Sequence, residues 1–99
     1  SPYGFSKASG ELMGRMFVEQ QELASFIAVR IGSFHLRAPK NKDLRLWIGP
    51  RDLCSLLRRC VEVKAKGFHI VYGVSAQPMT PYDLSYTTRL LSWKPEQTT

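Results

Sequence analysis

Thiols and imidazoles are scarce in this chain. Cys54 and Cys60 are its only cysteines, and His35 and His69 its only histidines. That is too few for a metal-ligand cluster of ordinary spacing, so no metal site is expected. The two cysteines stand six positions apart in a segment that reads as helix, about 9 Å along the axis at ~1.5 Å per residue. No disulfide closes across that gap, and idle or buried thiols are expected. Long apolar runs are missing too. Nothing approaches the ~20 residues that cross a bilayer, and Lys7, Glu11 and Arg15 interrupt any leader-like core near the start. The expectation is a soluble, cytoplasmic protein without membrane contact, organised as one small domain over residues 1–99.

Negative charge is the other shortage, and it is local. The formal net charge is +6. Arg30, Arg37, Lys40, Lys42, Arg45 and Arg51 meet only Asp43 in the stretch they span, a surplus of five positive charges. Such a patch attracts an acidic partner, nucleic acid or a small anionic molecule, although a solvated loop has the same composition. Nucleic acid is the weaker choice, because neither aromatic interleaving nor a recognised motif accompanies the basic residues. A small basic binding module is nevertheless an alternative function, and its affinity would fall steeply with salt.

What is present has a clear rhythm. Phe5, Ala8, Leu12 and Met16 recur at spacings of three and four, widened by Met13 and Phe17, which predicts a helix over 3–23. Ser1 is placed to cap it, with Pro2 in its first turn. Gly10 and Gly14 each cost a helix interior roughly 1 kcal/mol; either they admit a close neighbour or they are merely tolerated. SFIAVRIG, residues 25–32, reads as a buried strand. Residues 34–48 have no period and read as a long loop. Pro50 opens a second helix running to Gly67, with Asp52 in its first turn and Leu53, Leu56, Leu57 and Val61 as its buried stripe. FHIVYGVS, residues 68–75, is a second strand, and Thr80-Pro81 opens a third helix to Leu91 with Leu84, Leu90 and Leu91 inward. The order helix, strand, helix, strand, helix is α/β with two parallel strands joined right-handedly. Both strands read as nearly continuous apolar runs, broken by Arg30 and His69, as interior strands do. They look like part of a larger sheet.

Tyr3 and Lys7 fall one turn apart on one helix face. A free tyrosine ionises near pH 10, and a neighbouring ammonium favours its phenolate. A phenol so placed exchanges a proton with an alcohol or carbonyl oxygen. The spacing alone is a weak signal, but four further phrases in order strengthen it. YGFSK at a helix start, RIGSF at 30–34, WIGPRDL at 47–53, and FHIVYGVSA at 68–76 followed by LLSWKPEQ at 90–97 together resemble the C-terminal part of an extended short-chain dehydrogenase/reductase, of the NAD-dependent epimerase/dehydratase kind. Within that family the RIGS and VYGVSA phrases are most similar to uronate dehydrogenases, which oxidise a hexuronic acid with NAD.

The resemblance implies a partial Rossmann-like sheet, with Tyr3 as the base and Lys7 as its tuner and a ribose contact. It makes Ile31 a neighbour of the nicotinamide and Ser33 a hydrogen-bonding partner of the sugar acid. Arg45 would pair the substrate carboxylate, with Lys42 the competing choice for that role. No G-x-x-G-x-x-G or G-x-G-x-x-G occurs, so the pyrophosphate-binding turn of such enzymes is absent. The resemblance therefore implies NAD for the parent family and no cofactor for this chain alone: a remnant or fragment, not catalytically competent by itself. A homo-oligomer is expected, through the exposed sheet edge or the 3–23 helix, with an anionic small molecule as a further partner.

Overall fold

The computed structural model describes residues 1–98. Its elements in chain order are α1 (Pro2–Glu19), β1 (Ser25–Ile31), β2 (Ser33–Phe34), a 3-10 helix (Lys42–Leu46), β3 (Trp47–Ile48), α2 (Pro50–Glu62), β4 (Gly67–Gly73) and α3 (Ser85–Leu91). The strands form two two-stranded sheets, β1 with β4 and β2 with β3. Gly67 N–H donates to the Ala24 carbonyl and Gly32 N–H to the Gly73 carbonyl. The partners ascend together along both strands, so β1 and β4 run parallel, as expected. The chain divides into two compact units, Ser1–Ala28 with Lys64–Ile70, and Val29–Val63 with Val71 onward.

In the first unit, Ser1 caps α1 by accepting the Gly4 amide at 3.1 Å. The helix stops at Glu19, four residues short of the expected end at 23. Gln21 takes a left-handed conformation at φ 63°, its N–H reaching the Val18 carbonyl and that of Glu22 the Phe17 carbonyl. This is the six-to-one closure usually built on glycine. The apolar stripe that gives α1 its period does not make a core. Phe5, Leu12, Met13 and Met16 are 76%, 60%, 53% and 47% exposed. The face that packs is the glycine face. Gly14 is buried, and a Cβ there would sit 2.5 Å from the Phe26 ring. That ring is held in turn by a stack on Phe68 at 5.8 Å between centroids. Gly10 has nothing within 4 Å. Of two glycines one turn apart, one is needed for packing and the other is only tolerated.

The second unit is built on a close approach that periodicity does not reveal. A Cβ at Gly32 would lie 1.9 Å from the Leu46 carbonyl oxygen, so only glycine lets the two backbones meet. Just beyond it β2 pairs parallel with β3, Ser33 opposite Trp47 and Phe34 opposite Ile48. The Trp47 indole N–H donates to the His35 carbonyl at 2.9 Å. The expected loop at 34–48 thus contains a 3-10 helix and feeds a second small sheet. The core gathers Trp47, Ile48, Leu56, Val71, Val74, Leu91 and Trp93. Gly73 allows Leu56 to touch the β4 backbone, since a Cβ there would stand 2.4 Å from Leu56 Cδ2.

Two helices differ from expectation in ways that locate this core. α2 ends at Glu62, and Val63 turns extended. Gly67, at φ 95°, opens β4 rather than closing the helix. Leu56 is buried as expected, but Leu57 and Val61 are 45% and 85% exposed, and the second buried residue of α2 is Asp52. α3 begins at Ser85 rather than near 80, where the Asp83 carboxylate accepts both the amide and the hydroxyl of Ser85. The segment after α3 is strapped down. Asp52 accepts the Glu96 and Gln97 amides at 2.8 and 3.0 Å, while Gln97 Oε1 accepts the Asp52 amide at 3.0 Å. Trp93 is buried and donates to Ser55 Oγ at 2.8 Å.

The two glycines of α1 separate under substitution. Gly10→Ala raises stability by about 0.5–1 kcal/mol, the helix-propensity gain. Gly14→Ala lowers it by about 1–3 kcal/mol through overpacking against the Phe26 ring. Urea unfolding midpoints read both. Asp52→Asn replaces one acceptor oxygen by a donor facing a backbone N–H and costs about 1–3 kcal/mol, visible as a lowered thermal midpoint with Trp93 fluorescence as the probe.

Candidate functional site

In the first unit, the start of α1 carries the expected pair. Tyr3 is 73% exposed and Lys7 is exposed as well. The Lys7 ammonium stands 5.4 Å from the centroid of the Tyr3 ring, within the ~6 Å over which a cation is attracted to an aromatic face. Helical spacing thus brings the cation beside the phenol, and both remain open to a ligand. The Ser1 cap fixes this first turn, so the tyrosine is carried on ordered backbone.

In the second unit, Ile31 ends β1 and is 37% exposed. Ser33 is half-buried at the start of β2, placed there by the Gly32 approach to Leu46. Arg45 and Lys42, the two alternatives for an anion-pairing residue, both lie on the 3-10 helix. Asn41 caps that helix by accepting the Asp43 amide at 2.9 Å. Both basic residues line one cavity of about 420 Å³, completed by Leu44 and the Gln77–Met79 turn. Sequence reading placed the basic residues but missed the opposite wall. That wall is the Gln77–Met79 turn, whose pairing with the 3-10 helix depends on tertiary contact.

The N-terminus of α2 does not fit a dinucleotide pyrophosphate. The Gly49 amide before α2 donates to Ser75 Oγ at 2.8 Å, and the Asp52 amide to Gln97. The space above Gly49 is filled, since a Cβ there would meet Gln97 at 2.5 Å and Trp47 at 2.7 Å. These donors are spent inside the protein. The Lys7 ammonium and the Tyr3 phenol are groups of this chain that suit a ribose hydroxyl.

Other titrating groups are modest. Burial pushes the Cys60 thiol up from its ordinary value. The hydroxyl of Ser85, then its amide, hold the Asp83 carboxyl down, with Arg89 adding to the effect. Among the described residues no group of three metal-ligating side chains forms, and no helix is long and apolar enough to cross a membrane.

Against known proteins, no family model matches the chain. Individual proteins do. It is 31% identical over 97 residues to the NAD-dependent glucose-6-phosphate dehydrogenase of Haloferax volcanii, covering 95% of this chain and 36% of that protein. It is 33% identical over 96 residues to the uronate dehydrogenase of Agrobacterium fabrum, covering 95% and 35%. The crystal structure of uronate dehydrogenase from Agrobacterium tumefaciens superposes with a TM-score of 0.86 at 31% identity, over 98% of this chain and 36% of that one. A tyrosine-to-alanine mutant of that enzyme is complexed with NAD. The fold is accordingly α/β, a partial Rossmann-like sheet with its helices. The chain is uronate dehydrogenase-like, and it spans about a third of the length of the relatives it matches.

Proposed function

We propose that this chain carries the proton-transfer helix and the anion-recognising turn of an NAD-dependent dehydrogenase acting on an anionic hexose. The observation that carries this reading is the match of nearly the whole chain to one third of such enzymes, with Tyr3 and Lys7 side by side at its start. Tyr3 exchanges the proton of the reacting hydroxyl, and Lys7 holds positive charge beside the phenol and donates to a ribose hydroxyl. Ile31 lies against the nicotinamide, and Ser33 hydrogen-bonds the sugar. Arg45, with Lys42 beside it, pairs the carboxylate of a uronate or the phosphate of a sugar phosphate, the two anions that the relatives' names supply. The nucleotide itself is held by a part outside these residues, so the 99 residues alone bind no NAD and turn over no substrate.

A titration of the purified chain with NAD and NADH tests the last statement. The expected result is no saturable binding at millimolar nucleotide; saturation would show a cofactor site within these residues and overturn it. In a longer polypeptide that carries the nucleotide-binding part and oxidises glucuronate or glucose 6-phosphate, Tyr3→Phe lowers kcat by about 10²–10⁴-fold, the worth of a general acid–base group. Unchanged kcat would remove Tyr3 from the chemistry.

We further propose that the chain pairs with a second copy of itself through α1. Support comes from the run of Phe5, Leu12, Met13 and Met16 on one helix face, all exposed, since contiguous apolar patches of this kind mark contact surfaces. Met13→Glu, at an exposed position that leaves packing intact, shifts sedimentation at micromolar concentration from dimer to monomer. A wild-type chain that sediments as monomer would overturn the pairing.

A further inference from the structure

A second cavity in the Val29–Val63/Val71-onward unit has no part in the reading above. It measures about 680 Å³ and is bordered by α2, α3 and the strapped segment that follows α3. Its floor is rigid. Buried Trp93 donates to Ser55 Oγ, whose own hydroxyl donates to the Asp52 carbonyl at 3.1 Å. The Asp52 carboxylate is spent on the Glu96 and Gln97 amides.

The rim has a different character. Arg51 and Arg59 both border the cavity from α2, two turns apart, about 12 Å along the axis at ~1.5 Å per residue. Lys94 borders it from the strapped segment. All three cations are exposed, and none has an ion-pair partner among the described residues, where Arg15 with Glu19 makes the salt bridge. Thr88 and Ser92 add hydroxyls one turn apart on the α3 side. Glu96 and the carbonyls at the end of α3 oppose an anion there. With the Asp52 oxygens turned to two backbone amides in the floor, three cations on the rim face two carboxylates, a surplus of one positive charge.

We propose that this trough binds a small molecule bearing two or more phosphate groups. Arginine forks suit phosphate oxygens, and hydroxyl donors complete their shell. The two-turn separation of Arg51 and Arg59 suits a chain of phosphates better than a single one, because each guanidinium then takes its own group. Binding here is independent of the 3-10 helix cavity with Lys42 and Arg45.

The test is titration of the full chain with sodium tripolyphosphate at low ionic strength, followed by amide chemical shifts, with ATP as a parallel arm. Saturable binding is expected, with shifts at Thr88, Ser92 and Lys94. Arg59→Gln and Lys94→Gln each weaken it about tenfold or more, the worth of a lost charge-assisted hydrogen bond. Arg45→Gln leaves the shifts at Thr88, Ser92 and Lys94 unchanged. Both altered rim residues are exposed, so the fold is retained, and the unshifted remainder of the spectrum verifies this. Equal affinity for tripolyphosphate and ATP assigns the recognition to the phosphates alone; tighter ATP binding adds a contact to the nucleoside and keeps the site. Three results overturn the proposal: no saturation at millimolar tripolyphosphate, full affinity in both rim variants, or loss only in Arg45→Gln, which would place the anion at the 3-10 helix.

Discussion

The reciprocal clasp between Asp52 and Gln97 holds the second unit in shape. A buried carboxylate is costly unless its oxygens are satisfied. Here two consecutive backbone amides satisfy it, and the Gln97 side chain returns a bond to the Asp52 amide. The consequence spreads along both strands of chain involved. Closing the segment after α3 onto α2 seats Trp93, and the Gln97 carbonyl accepts the Ala76 amide, which fixes the end of β4. The same clasp occupies the α2 N-terminus, which is why that helix offers no cradle to a pyrophosphate. One satisfied carboxylate thus supports the core and borders the cavity between α2 and α3.

The two basic regions of the second unit differ in construction. The 3-10 helix presents Lys42 and Arg45 from a short capped turn, facing an apolar wall of Leu44 and Met79. That combination suits a compact ligand with one anionic group and a carbon face. The trough presents its cations two turns apart along a helix over a floor of Trp93 and Ser55. It suits an extended polar ligand. Charge alone does not distinguish them; the spacing of the backbones that carry the charge does.

Periodic features of the sequence translated well into structure. The α1 cap at Ser1, the apolar runs of β1 and β4, and the proline start of α2 are local signals, and each appears where its chemistry puts it. Tertiary decisions were not legible. The α1 stripe has the period of a buried face yet is exposed, because period reports that a face is apolar and not what covers it. Gly14 and Gly10 look alike in sequence and differ only in whether Phe26 stands above them. Asp52 reads as a dipole-favoured first-turn residue, while its role depends on amides 44 and 45 residues away. The Tyr3–Lys7 pair was legible because both residues lie on one turn. The wall that faces Arg45 was not, because it comes from the Gln77–Met79 turn.

The separation of the clasp partners bears on how the chain acquires its shape. Closing a loop of some 45 residues carries an entropic cost that must be met before the contact returns any energy. On a ribosome adding roughly 5–20 residues per second, α2 therefore emerges with its first amides turned to water. It waits several seconds for the residues that will cover them. Until those residues arrive, the Asp52 carboxylate and the first amides of α2 keep water as their partner.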